Sequence, residues 1–125
     1  MGVLYSSVIR ERYRRPRCRG ELPDPDAIFE DVNPLCGDRI RITLRLTDGL
    51  VAEARHIGDS CAICAASADI LAELVAGRPV TEAESVSTED LLRLLEADIR
   101  PTRMKCVTLP LQVLRSALAH VGVPS

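Results

Sequence analysis

The chain has no tryptophan, and its aromatic residues are Tyr5, Tyr13 and Phe29 alone. A core must therefore be built from Val, Ile, Leu and Ala. Lysine is almost missing too: Lys105 stands alone, and arginine supplies the other basic residues. No apolar run approaches the roughly 18 residues that a membrane span needs. The N-terminal MGVLYSSVIRERYRR has its charges after a short apolar patch, the reverse of a secretory signal. No membrane partner is expected, and the expected location is cytoplasmic. Six arginines and one glutamate within residues 1–20 make that segment basic, but the remainder is acidic and net charge is −2. Without aromatic residues interleaved among the arginines, nucleic acid is not expected as a partner. The basic cluster at 10–19 reads as a solvated face or a docking surface for an acidic protein.

What is present is cysteine, at 18, 36, 61, 64 and 106. An odd count does not close into a full set of disulfides. In a reducing compartment, metal binding or thiol chemistry is the better account of clustered cysteines. The length of 125 residues suits a single domain spanning residues 1–125.

The patterning gives an outline. Leu4 to Arg15 reads as a helix ended by Pro16. Cys18 to Pro25 reads as a loop, and Ile28 to Val32 as a short strand. Arg39 to Leu46 alternates strictly, with Ile40, Ile42, Leu44 and Leu46 on one face and Arg39, Arg41, Thr43 and Arg45 on the other. Asp48-Gly49 is hairpin chemistry, and Leu50 to Ile57 returns as the partner strand. The expected sheet is a three-stranded antiparallel meander. Cys61 to Ala76 then takes a helical period, with Gly77 at its stop. Ser87 caps a helix over about Thr88–Ala97, with Asp90 in the capping-box position. The last helix occupies roughly Arg103–Val121. Pro110 inside it predicts either a start near Thr108 or a kink.

This outline sets three cysteines at element ends. Cys36 lies in the turn of NPLCGDRI, two residues before Asp38. Cys61 opens a helix, and Cys106 lies near the start of the last one. Helix N-termini favour thiolates. Arg103 and Lys105 should also favour the thiolate of Cys106. Three thiolates and the Asp38 carboxylate make four ligands, suited to zinc or to an iron–sulfur cluster. Each cysteine taken alone also fits a small buried hydrophobe. Cys64 completes a C-x-x-C with Cys61 but can face the core one turn on, and Cys18 has no assigned role. His56 reads as a surface residue at a strand end with a minor metal role as the alternative. His120 suits the negative end of the last helix.

Four ordered stretches, YSSVIRERYRRPRCRG, NPLCGDRI, GDSCAICAASADIL and RPTRMKCVTLP, resemble the U-type iron–sulfur cluster assembly proteins: IscU, the NifU N-terminal domain and SufU. The resemblance covers about residues 4–121. It implies an α+β fold, a three-stranded antiparallel sheet with helices packed on one face. It also implies a metal or cluster site made of Cys36, Asp38, Cys61 and Cys106. Lys105 stands where IscU and NifU proteins usually carry histidine, so the third cysteine segment looks like SufU. The Cys61–Cys106 spacing is closer to IscU, and Cys64 replaces a residue that is commonly small and not a thiol. The implied function is that of a zinc-bound sulfur acceptor, taking persulfide sulfur from a cysteine desulfurase. Cys36 and Cys106 are then candidate acceptors, with Arg103 and Lys105 in support. The alternative is a scaffold holding a [2Fe–2S] cluster for downstream carriers or apo-proteins. Either is at most a sulfurtransferase acting with its partner. A purely structural zinc domain is a third reading, disfavoured because a core of this size folds without metal.

Overall fold

The structure is a computed structural model that describes residues 6–35 and 37–122, with side chains to residue 120. In chain order the elements are α1 (Ser7–Arg14), β1 (Ala27–Val32), β2 (Arg39–Thr47), β3 (Leu50–Ile57), α2 (Ala62–Val75), α3 (Val80–Glu84), α4 (Thr88–Leu95) and α5 (Met104–Gly122). The strands form an antiparallel sheet in the order β1-β2-β3. The expected α+β meander is the observed one. Asp48 and Gly49 both take positive φ, the backbone that a two-residue hairpin needs to match strand twist.

The alternation of β2 sets the layers. Ile40, Ile42 and Leu44 are buried in the one core, where α5 packs on β2 and α2 on β3. Thr43 departs from the expected polar face: it is buried, and its Oγ1 accepts the Leu22 N–H at 3.1 Å. The loop through Leu22 straps the second face there. Three alanines of α2, Ala66, Ala68 and Ala72, are buried, which lets its backbone approach its neighbours closely. The capping box at Ser87 and Asp90 forms on both sides. A short helix, α3, follows Pro79, where the sequence reading places no element.

The last helix resolves the two expectations for Pro110. It starts at Met104, after a 3-10 turn over Pro101–Arg103, and Pro110 lies inside it rather than in its first turn. Proline has no N–H to give the carbonyl of Cys106 four residues earlier.

Two sequence expectations are corrected around Asp69. His56 is not a surface residue. It is buried, and its Nε2 lies 2.9 Å from Asp69 Oδ1. The arginine segment is not simply solvated either. Arg12 reaches Asp69 Oδ2 at 2.9 Å and also binds Glu73, and Arg17 pairs with Glu73. The fully buried Asp69 carboxylate further accepts the N–H groups of Arg17 and Cys18. Burial alone would raise its pKa. The His56, Arg17, Cys18 and Arg12 hydrogen bonds outweigh that and hold it below the usual carboxylate range. One side chain thus joins α1, the following segment, β3 and α2.

A second constraint is steric. A Cβ on Gly58 would sit 2.0 Å from the carbonyl oxygen of Arg39, so the turn after β3 runs against the start of β2. The Arg39 N–H donates to the Asp59 carbonyl at 2.8 Å across this contact.

Two outcomes follow for stability. Asp69→Asn should cost about 3 kcal/mol at pH 7 in urea unfolding, because it leaves Arg12 and His56 facing a neutral group. Since the folded pKa of Asp69 is depressed, its charge stabilises above the unfolded carboxylate range and the contribution fades as pH falls through the folded value. The gap between wild type and variant should therefore begin to narrow below about pH 4 and close only as the pH passes the depressed folded value. Gly58→Ala should cost about 2 kcal/mol in the same assay, because a backbone atom has to move. A loss of under about 0.5 kcal/mol would show that the turn relaxes freely.

Candidate metal centre

Asp38, Cys61 and Cys106 come together at one end of the sheet. Their ligand atoms all lie within 4.8 Å of one another. Cys36, the fourth residue of the expected set, lies outside the described residues.

Each is positioned by local chemistry. The Asn33 side chain accepts the Leu35 N–H at 3.0 Å, an Asx turn that starts the loop before β2. The Gly37 N–H donates back to the Asn33 carbonyl, and the Asn33 N–H to that of Asp38. Gly37 has φ +79, a conformation glycine adopts without strain. Asp38, almost fully buried, is aimed at α2: its Oδ1 accepts the Cys61 N–H at 3.0 Å, and its Oδ2 lies 3.8 Å from the Cys61 thiol. Cys61 is the N-cap of α2, and its Sγ accepts the N–H of Cys64 at 3.4 Å. Cys106 lies in the first turn of α5 and is buried. Two helix N-termini therefore face the same cluster, each offering partial positive charge to anionic ligands.

Arg103 closes the group. Its guanidinium is held above its ordinary value, by Cys106 first and Cys61 second. The reciprocal effect on Cys106 corrects the expected thiolate preference. Burial pushes that thiol up to about 12; Arg103 opposes the rise, and Cys61 adds to it. The cation is present, but desolvation outweighs it in the metal-free cluster. Lys105 is exposed and lines a cleft of about 180 Å³ with Asn33, Pro34 and Gln112.

The remaining candidates sort by contact. Cys64 is fully buried, and burial, then Asp38 and Cys61, raise its thiol strongly. Cys18 is half-buried, with burial and then Asp69 raising its thiol, and its N–H is bound to Asp69. The four described cysteines are free. Neither histidine joins the cluster: His56 serves Asp69, while His120 donates its Nδ1–H to the Ser116 carbonyl at 2.7 Å and stacks obliquely on Phe29, 5.2 Å between centroids. A cleft of about 780 Å³ between α1, α2 and α4 is lined by none of the cysteines. The His56–Asp69 pair is the feature the sequence did not disclose. The only cue was a histidine at an inward position of β3, thirteen residues before an aspartate in an alanine-rich helix.

The donor set fits a metal. At a zinc–sulfur distance of about 2.3 Å, tetrahedral ligand sulfurs lie about 3.8 Å apart. The three described donors need to close by about an ångström or less to reach that spacing. Two sulfurs and one carboxylate oxygen are accepted zinc ligands.

Comparison with known proteins places the chain among its relatives. The chain is 32% identical to the zinc-dependent sulfurtransferase SufU of Bacillus subtilis, over 95% of this chain and 92% of that protein. It is 33% identical to the iron–sulfur cluster assembly scaffold protein IscU of Thermotoga maritima, over 98% and 97%. In fold it is similar to a putative iron–sulfur cluster assembly scaffold protein for the SUF system from Fervidobacterium islandicum, with a TM-score of 0.81 and 22% identity over 92% of this chain and 96% of that one. A NifU-like N-terminal structure from Brucella abortus aligns with a TM-score of 0.79 and 20% identity, over 94% of each chain. The family model described as the NifU-like N-terminal domain matches residues 4–121, and the chain belongs to that family.

Proposed function

We propose that the chain serves iron–sulfur cluster assembly as a zinc-holding sulfur acceptor, taking sulfane sulfur from the persulfide of a cysteine desulfurase. The observation that carries the reading is the convergence of Asp38, Cys61 and Cys106 on one point beside Arg103. Donors gathered this closely suit a single ion better than ligands spread over two irons. Cys36 is the proposed fourth ligand. Zinc held there would lower the pKa of its thiol ligands and shield them from oxidation.

The chain's own groups supply the rest. Arg103 offsets the negative charge that gathers when the thiols ionise. Asp38 fixes Cys61 through its peptide N–H and contributes an oxygen that exchanges more readily than sulfur. A thiolate of the cluster attacks the outer sulfur of the donor persulfide. The new S–S bond forms as the desulfurase thiolate leaves. Cys36 and Cys106 are the proposed first acceptors. Leu35 is 80% exposed and Val32 44%, an apolar rim at the end of β1 and the loop after it against which a partner can dock. No described helix is long and apolar enough to cross a membrane.

The scaffold reading uses the same residues, and the two similar identities to SufU and IscU relatives keep it in the test. Protein purified without oxygen is assayed for metal, then exposed to iron and sulfide. One zinc per chain with no visible absorbance is expected. A coloured two-iron species that displaces the zinc would establish the scaffold instead.

Arg103→Ala provides a second check. Arg103 lowers the Cys106 pKa against burial, so its removal raises that pKa further. Alkylation of Cys106 in metal-free protein at fixed pH, followed by mass spectrometry, should slow about tenfold per unit of further rise. An unchanged rate would remove Arg103 from the site.

A further inference from the structure

Cys61 and Cys64 occupy the N-cap and the third position of α2, and the Cys64 peptide N–H bonds the Cys61 sulfur. We propose that Cys64 is the resolving thiol of this site, expelling sulfane sulfur from Cys61 as sulfide. The inference rests on the acceptor reading above, which supplies the sulfane sulfur.

Accepting sulfur is half of the chemistry. A persulfide carries its outer sulfur two electrons above sulfide, and a cluster is built from sulfide. Something must deliver those electrons. A second thiol within reach of the persulfide does so without any other reagent. The Cys64 sulfur attacks the inner sulfur of the Cys61 persulfide, the bond between the two persulfide sulfurs breaks, and the outer sulfur leaves as hydrogen sulfide with the Cys64 proton. Two thiol sulfurs are oxidised to one disulfide, and one sulfane sulfur is reduced to sulfide. Sulfur arriving first at Cys106 reaches Cys61 by thiol exchange, because the two sulfur atoms lie within 4.8 Å. An external dithiol resets the Cys61–Cys64 disulfide by ordinary exchange.

Three observations support the assignment. Residues three apart at a helix start are neighbours, with Cβ atoms about 5–6 Å apart, so a modest shift brings them to disulfide distance. Cys61 is half-buried while Cys64 is fully buried, so Cys61 is open to sulfur passed on from Cys106 and Cys64 is reached only from inside. Neither sulfur is tied up in a disulfide with another described cysteine, so the two are available to each other. No metal ligand is needed from Cys64, which stands outside the Asp38, Cys61, Cys106 group.

The test uses the whole chain, loaded anaerobically with inorganic polysulfide, desalted, and followed without reductant by a free-sulfide assay and intact mass. The expected wild-type course is a species heavier by one sulfur atom. It should convert to one lighter than the reduced chain by two hydrogens, with one sulfide released and a mapped Cys61–Cys64 disulfide. Cys64→Ser should load equally, keep the extra sulfur, and release sulfide about tenfold more slowly. Cys64→Ala is the second variant in case the buried hydroxyl unfolds the chain. Equal loading with sulfide release at the wild-type rate in either folded variant, or release from wild type without that disulfide, overturns the role of Cys64 alone. Failure of folded wild type to take up sulfane sulfur overturns the acceptor reading and this inference together.

Discussion

A single buried carboxylate organises the molecule. Asp69 sits inside α2, and its oxygens receive His56 from β3, Arg12 from α1 and two peptide N–H groups from the segment between them. A charge in that position is tolerable only because every partner is present. The consequence reaches the far end of α2. With helix, strand and N-terminal segment tied to one point, the short link between His56 and Cys61 has little freedom. The N-cap of α2 is then delivered to a fixed place.

Gly58 completes that delivery. It lets the link pass against the backbone of Arg39, so Asp38 lies beside the peptide N–H of Cys61. Most of the site's geometry is therefore decided by backbone contacts rather than by the thiols. Asp38 and Cys61 are placed by hydrogen bonds to the backbone, so their positions need no ion, which is what a chain with a core of its own allows.

Much of this was legible in the sequence. The period of two in β2, the Asp48-Gly49 turn and the period change after Gly58 fixed the meander and the helix that follows. Those signals are local, and local physics decides them. The convergence of NPLCGDRI with the starts of α2 and α5 was legible only through resemblance, because it depends on contacts between segments far apart in the chain. His56 and Arg12 were misread for the same reason. Polar side chains look solvated until a partner is found, and Asp69 lay hidden in a helix whose alanines suggested nothing but packing. The pKa of Cys106 went the other way. The cation was visible in the sequence, but burial, the larger effect, was not.

That balance bears on how the cluster would hold a metal. In the cluster itself, desolvation first and then neighbouring negative charge push the thiols of Cys64 and Cys106 upward, with Arg103 opposing the rise at Cys106. A divalent cation replaces protons at the sulfur atoms it binds, so uptake releases protons and strengthens as pH rises. Arg103 and the two helix N-termini supply further positive charge, but none of them can enter the coordination shell. They make the ionised cluster less costly without competing for its donor atoms. Cys64, buried beside the cluster and outside the group of convergent ligand atoms, has its thiol pushed up by burial. Since the thiolate is the nucleophile, its attack on the neighbour three residues away has to proceed as the proton passes to the leaving sulfide.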